Sequence, residues 1–167
     1  MTQPIRYALL GKSGSGKSRA AEILSDLLHV PHIKTGAVCR QISHILFGNE
    51  DKRSTQRLDD ALTPLDPCIF LRAALRSVGS DQGFVVDALR FCEDLAMAQN
   101  YGCLTIRISA PDDQRLRRLA ERGQVFDPAT DGLHRSETEL DASAVDFEIS
   151  NDCDLNHLRL SLARIVA

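Results

Sequence analysis

No apolar run in this 167-residue chain approaches the roughly 20 residues that a membrane-crossing helix needs. The stretch from Met1 to Gly11 lacks the apolar core and small-residue cleavage site of a secretory signal. Neither export nor a membrane partner is expected, and the cytoplasm is the expected compartment. No C-x-x-C pair occurs. The five cysteines (Cys39, Cys68, Cys92, Cys103, Cys153) are odd in number and scattered, which argues against zinc ribbons and disulfide frameworks. They are expected to pack as small apolar groups. The histidines show no metal-ligand spacing, and only His134, beside Arg135, Ser136 and Glu137, stands in suggestive company. Positive charge is not in excess either: the net charge is -3, which disfavours a general nucleic-acid binder. Lysine is scarce, with 4 against 16 arginines. Arginine suits bidentate phosphate binding, although a GC-rich genome accounts for such a skew equally well.

With 43% apolar and 26% charged residues and no repeat, low-complexity tract or long linker, the chain reads as one domain over 1–167. Short apolar runs alternate with longer amphipathic stretches, the pattern of an α/β fold. Strands are expected at Tyr7–Leu10, near Ile33, at Phe84–Val86, at Leu104–Ile108 and at Phe147–Ile149. Helices are expected after Lys17, over Glu93–Asn100, over Pro111–Glu121 and through Leu155–Ile165. The span from Val38 to Val78 reads as mostly helical, broken near 48–54 and 63–67. Gly123–Asp141 has no clear periodicity and holds several turn formers, which marks it as a candidate functional loop.

Gly11-Lys12-Ser13-Gly14-Ser15-Gly16-Lys17-Ser18 matches G-x-x-x-x-G-K-[ST], the P-loop. Glycines let the backbone turn its N–H groups inward around phosphate oxygens. The helix that begins at Lys17 adds free N–H groups and the positive end of its dipole. Gly11, Ser13, Gly14, Ser15, Gly16, Lys17 and Ser18 are therefore the candidate nucleotide-binding residues, with Lys17 reaching the β and γ phosphates and Ser18 ligating magnesium. An apolar strand before the motif and an amphipathic helix after it supply the context that the motif requires.

Asp87 follows the buried run Phe84-Val85-Val86. An acid at that place is a second magnesium candidate or a cap for the next helix. Arg90, three residues on, reaches an acceptor phosphate or faces solvent. Arg40, in the helical span, is a further candidate for the acceptor. Arg115, Arg118 and Arg122 are spaced to share one helix face, with Arg117 turned elsewhere. Beside a P-loop such arginines clamp a transferred phosphoryl group; away from one they form a solvated face. Arg118 and Arg122 are the first choices for a catalytic role, next to Lys17 and Asp87. After Gly123 the sign reverses: Asp131 to Asp152 holds seven acids and one arginine.

Strand, P-loop, short chain and Arg-rich helix together resemble the nucleoside monophosphate kinase group of P-loop kinases. Arg122-Gly-Gln-Val-Phe126-Asp-Pro128, then Ser136-Glu-Thr-Glu-Leu-Asp141, then Asp146-Phe-Glu-Ile-Ser-Asn151 is similar to the tail of animal-type phosphomevalonate kinases, as is Asp87-Ala-Leu-Arg90. Phage-type deoxynucleoside monophosphate kinases are similar in the same way. Adenylate kinases look more distant: their long Arg-rich lid is missing, and their D-G-x-P-R is one residue shorter here. The resemblance implies a three-layer sandwich with a mainly parallel sheet, helices on both faces, a short lid at about 115–141 and an acceptor-binding helical region at about 38–78. It implies transfer of the γ-phosphoryl group of Mg-ATP, with ATP and Mg2+ as cofactors, to a phosphorylated small molecule, first of all a (deoxy)nucleoside monophosphate. Two alternatives remain open. One is a hydroxyl acceptor in a metabolite or a modified base of DNA, with Asp87 as general base. The other is a non-catalytic nucleotide-binding module, against which stands the lack of an N-K-x-D guanine signature.

Overall fold

Along β1 (Arg6–Leu10) successive side chains enter two different cores. Tyr7 and Leu9 pack with Val85, Ile106 and Ile108 on one face of the sheet. Ala8 and Leu10 pack with Phe84, Val86 and Leu89 on the other. This computed structural model describes residues 4–167; the first three positions of the expected domain and of the stretch read for a secretory signal lie outside them. β2 (His32–Lys34), β3 (Phe84–Leu89), β4 (Leu104–Ser109) and β5 (Phe147–Ser150) complete one sheet in the order β2-β3-β1-β4-β5. Every adjacent pair is parallel. The expected fold class is the one found.

Parallel neighbours require crossover connections, and helices supply them. In chain order these are α1 (Lys17–Leu28), α2 (Thr35–Phe47), α3 (Lys52–Leu62), α4 (Ile69–Leu75), α5 (Cys92–Asn100), α6 (Asp112–Glu121), α7 (Arg135–Thr138) and α8 (Leu155–Val166). Ala20, Ala21 and Leu24 of α1 and Leu158 and Leu162 of α8 cover the first face. Leu71 and Leu75 of α4 and Leu95 and Ala98 of α5 cover the second. Cys39, Leu58 and Phe70 make a small separate core that ties α2, α3 and α4 into one unit. That unit is the helical span expected from about 38 to 78. The buried cysteines Cys39, Cys68 and Cys103 pack as the composition suggests, while Cys92 and Cys153 are exposed.

The stretch expected to form a lid over about 115–141 divides into three parts. Residues 115–121 belong to α6, whose Arg115 and Leu119 are buried. Residues 123–130 carry no helix or strand and are almost all exposed. From Asp131 on, a short 3-10 turn and α7 are anchored: Arg135 Nη2 donates to Thr63 Oγ1 at 2.7 Å, its guanidinium lies 4.2 Å from the Phe91 ring centre, and Leu140 enters the second core. The Gly- and acid-rich composition hid these anchors because each partner is distant in sequence.

In the open parallel sheet, β1 is flanked by β3 and β4, and the connections on its two sides run in opposite directions. Ligand sites form in the crevice at the carboxyl end of such a switch point. There β3 carries a bulge: Ala8 pairs with Val86 and Leu10 with Leu89, so Asp87 and Ala88 together oppose Leu9. Bulges re-aim side chains, and this one turns the backbone at Asp87, within the last half of the strand. Ala88 adopts φ 62, a left-handed conformation that costs an L-residue about 1–2 kcal/mol. Ala88→Gly is expected to raise stability by about 1 kcal/mol and Tm by roughly 2–4 °C in reversible melts. An unchanged or lower Tm would show that the strain is absorbed elsewhere.

Candidate active site

The P-loop turns its carbonyls outward, and each of three consecutive ones has a donor waiting. Arg115 Nη1 donates to Ser13 O at 2.6 Å. Arg118 donates to Gly14 O at 3.4 Å through Nη1 and to Asn151 O at 2.9 Å through Nη2. Asn151 Nδ2 donates to Ser15 O at 2.8 Å. Fixing the carbonyls of Ser13 and Ser15 on the outside leaves the Gly14 and Gly16 amides of the same peptides to face inward, while the Ser15 N–H donates to Lys12 O at 3.1 Å and tightens the turn. The glycines permit this closeness. A β-carbon on Gly14 would stand 2.5 Å from Arg115 O, and one on Gly16 2.2 Å from Asn151 Nδ2. Both glycines also have positive φ, 79 and 96. Arg115 and Arg118 thus share one face of α6, whereas Arg122, expected on the same face, follows the end of the helix; Arg117, paired with Glu121 at 3.8 Å, is exposed as expected.

Arg118, expected to clamp the transferred phosphoryl group, is instead turned to the carbonyl side of the loop, because α6 runs beneath it. Arg122 is exposed and reaches the rim of a cavity of about 480 Å3 that the P-loop shares with the α2–α3 unit. Lys17 lines this cavity and donates to Lys12 O at 3.2 Å. Burial pushes its ammonium down to about 8, against the pull of Glu137 and Asp87. Ser18, also on the cavity wall, is exposed. The Ser15 hydroxyl is buried without a partner among the described residues.

Asp87 is 3% exposed. Its Oδ2 stands 3.2 Å from His32 Nε2. Burial opposes its ionisation, but His32, the Ser18 hydroxyl and the Lys17 ammonium outweigh that and hold it below the ordinary carboxylate range. The capping role belongs to another residue: Asp94 Oδ2 accepts from the N–H groups of Arg90 and Phe91 at the start of α5. Among the described residues no group of three or more His, Cys, Asp or Glu converges. A hydroxyl and one carboxylate, both hard oxygen donors, fit magnesium, which keeps several waters and takes its remaining ligands from phosphates.

Across the cavity, Arg90 Nη1 donates to both oxygens of the fully buried Asp59, at 3.0 and 2.8 Å. Its other amino group converges with Arg40. A β-carbon on Gly36 would stand 3.1 Å from Arg40 Nη1 and 3.5 Å from Arg90 Nη2. Thr35 Oγ1, next in the chain, is buried without a partner. The sequence named Arg40 and Arg90 but missed what orients them. Asp59 lies 31 residues from Arg90, and nothing local marks it. Nothing in the neighbouring sequence marks His32 either. Its tie to Asp87 follows only from the parallel pairing of β2 with β3, where Lys34 sits opposite Asp87. Lys52 was missed as well, although two of only four lysines line one cavity.

No family model matches the chain. It is 31% identical to the cytidylate kinase of Halobacterium salinarum, over 92% of this chain and 79% of that one. It is 31% identical to the adenylate kinase of Nocardia farcinica, over 72% of this chain and 71% of that one. The chain belongs to the nucleoside monophosphate kinase family. The members of this family are ATP-dependent phosphotransferases of the P-loop kinase fold. A shorter match, 37% identical to the adenylate kinase of Corynebacterium urealyticum, spans 50% of this chain and 46% of that enzyme. Among solved structures, a gluconokinase from Sinorhizobium meliloti superposes with a TM-score of 0.66 at 16% identity, over 99% of this chain and 95% of that one. A shikimate kinase from Acinetobacter baumannii superposes with 0.60 at 14%, over 99% and 92%. At that identity they show a shared fold. The expected group is therefore right, and the matched relatives include adenylate and cytidylate kinases, the branch that the shortened strand-end motif made look distant.

Two outcomes test this kinase site. A triphosphate raises the pKa of an ammonium it touches, so binding must take up a proton once the free Lys17 begins to lose its own. ATP affinity is expected to be level below about pH 8 and to fall as pH rises through that value. Calorimetry in buffers of different ionisation heat should show proton uptake near pH 9, well above the ordinary His range and below free Lys; no uptake would remove the lowered Lys17. Arg115→Met should weaken ATP binding about tenfold, roughly 1.4 kcal/mol, without touching the nucleotide, since it frees the Ser13 carbonyl and loosens the loop. Unchanged affinity would show that the loop holds its shape without Arg115.

Proposed function

We propose that this protein transfers the γ-phosphoryl group of Mg-ATP to a phosphate-bearing acceptor, first of all a (deoxy)nucleoside monophosphate. The observation that carries the reading is the pair of guanidiniums, Arg40 and Arg90, that converge over Gly36 in the cavity that the P-loop also lines. One cavity then holds two cationic sites, as is needed to bring a donor phosphate and an acceptor phosphate together. Fork-shaped guanidiniums recognise phosphate oxygens bidentately. Asp59 anchors one amino group of Arg90 and leaves the other to the acceptor.

The P-loop amides and Lys17 bind and orient the β and γ phosphates. Ser18 and Asp87 are the residues that would hold magnesium. The ion, when bound, neutralises charge on the β and γ oxygens. His32 keeps Asp87 ionised and oriented from behind. No covalent intermediate is needed; alignment and charge stabilisation suffice. Residues 122–126 line the open side of the cavity and are the segment we assign to a short lid that excludes water once both substrates are bound.

A hydroxyl acceptor with Asp87 as base finds less support, because, despite burial, His32, the Ser18 hydroxyl and Lys17 hold Asp87 below the ordinary carboxylate range, which leaves it a weak base. A non-catalytic module gains nothing from a second cationic site. The likeness of the C-terminal third to phosphomevalonate kinases makes phosphomevalonate the first competitor among phosphorylated acceptors.

Incubation with Mg-ATP and a panel of nucleoside monophosphates, phosphomevalonate, dephospho-coenzyme A, hydroxyl metabolites and DNA, read by mass, identifies the acceptor. Exclusive modification of a hydroxyl would overturn the phosphate-acceptor reading. Lys17→Ala is expected to lower turnover about 100-fold or more, the range for a lost transition-state charge contact, with the fold intact. Asp87→Asn should lower turnover far more than nucleotide affinity. Arg40→Ala should raise KM for the acceptor while KM for ATP stays close to the parent value. Activity of Lys17→Ala within about tenfold of the parent would remove the catalytic assignment.

A further inference from the structure

Glu137 occupies the mouth of the P-loop. Its Oε2 accepts from the Ser13 N–H at 2.8 Å, and its Oε1 from the Ser13 hydroxyl at 2.5 Å and from Lys52 Nζ at 2.7 Å. Its side chain is 4% exposed, and that of Lys52 18%. Burial opposes its charge, yet Lys52, Lys17 and the Ser13 hydroxyl hold its carboxyl down at about 2. So the outermost donors of this loop, those of Ser13, already hold an anion, and the anion belongs to the protein.

Position identifies what that anion stands in for. Helix α1 begins at Lys17, so the amides nearest it serve the phosphate held deepest in the loop. Ser13 lies four residues outward, toward the cavity that also holds Arg40 and Arg90. A phosphate oxygen bound to the Ser13 N–H belongs to the group that faces the acceptor. Lys52, the first residue of α3, reaches that point from the acceptor side, with its Nζ 3.5 Å from the Ser13 hydroxyl. The Asp51 carboxylate caps α3 by accepting from Ser54 N at 2.7 Å, which fixes the backbone from which Lys52 extends.

We propose that Lys52 contacts the γ-phosphoryl group of the bound nucleotide, and that Glu137 holds the place of that group, and the charge of Lys52, while the site is empty. The proposal rests on the kinase reading and extends its machinery to a residue from the acceptor-binding helices. A buried ammonium stripped of its partner is costly. Exchange of one carboxylate for a phosphoryl group avoids that state, because Lys52 is never left without an anion. A nucleoside diphosphate lacks the group that replaces Glu137, so it leaves the Lys52–Glu137 pair in place. The exchange therefore discriminates tri- from diphosphate, and it puts a donor-side charge on the helices that hold the acceptor.

The test compares direct binding of a non-hydrolysable ATP analogue and of ADP, with magnesium, to the parent, Glu137→Gln, Lys52→Met and Lys52→Arg. Lys52→Met should weaken the ATP analogue about tenfold or more and change ADP affinity less than threefold, and Lys52→Arg should restore most of the difference. Glu137→Gln keeps an acceptor for Ser13 but removes the competing charge, so it should tighten the analogue several-fold with little effect on ADP. Turnover of Lys52→Met should fall at least 100-fold at saturating substrates. Equal effects on analogue and ADP, or none on either, would overturn the proposal, and either lysine variant alone decides it if Glu137→Gln fails to fold. These binding ratios do not depend on the acceptor. Absence of phosphoryl transfer by the parent with every acceptor would count against the kinase reading instead.

Discussion

An amide and a carbonyl of one peptide point in opposite directions, so a loop that aims several N–H groups at a phosphate must aim as many C=O groups away from it. Unpaired and buried, those carbonyls would cost about 1–3 kcal/mol each. In this protein Arg115, Arg118 and Asn151 meet them at Ser13, Gly14 and Ser15. The rest of the site depends on this. α6 lies where its arginines can reach the loop. The turn after β5 delivers Asn151, whose own carbonyl takes Arg118. The glycines are small because these supports come so close. Two arginines of a cluster that resembles a set of phosphate clamps are in this way spent on the architecture of the loop.

The fold was largely legible, for a physical reason. The strands are short apolar runs bounded by Gly, Pro or Asp, and a parallel sheet buried on both faces leaves that signature in each one. The P-loop was legible because its chemistry is local: eight consecutive residues contain the turn, the amides, the lysine and the hydroxyl. Asp87 and Arg90 were legible from their place after a buried strand. What the sequence withheld is pairwise and distant. The tie between His32 and Asp87 is created by strand order, and Asp59 meets Arg90 only after α3 has packed on α2. Glu137 joins Lys52 across 85 residues. Windowed periodicity has no access to such pairs. The expected lid failed in part for the same reason, since α6 and α7 look polar and loosely patterned until the loop and the second core are set beside them.

The cationic groups of the cavity also show why few lysines suffice. Lys17 and Lys52 approach one anion position, while Arg40 and Arg90 converge on another. Four positive charges in one cavity repel, and without anions the fold would bear that repulsion. Internal carboxylates relieve it: Asp59 for Arg90, Glu137 for Lys52, Asp87 near Lys17. They differ in burial and therefore in role. Asp59 has no exposed surface and accepts two hydrogen bonds from one amino group, so it is a permanent partner. Glu137 sits on the loop's own phosphate donors, in a position that a substrate contests.

That difference sets the direction in which the site can work. A permanent partner polarises and orients an arginine without being displaced, so the acceptor meets a guanidinium already aimed. A contested partner makes donor binding an exchange, whose net gain is the preference of the loop for a phosphoryl group over a carboxylate. The phosphoryl group carries more charge and a third oxygen, and both are met by donors present before it arrives: the Ser13 N–H and hydroxyl, Lys52 and Lys17. Preorganised donors of this kind act most strongly where charge moves during the reaction. On the proposed reading, loss of the γ-phosphoryl group to the acceptor returns Lys52 to Glu137, and the product diphosphate keeps only the contacts that involve neither residue.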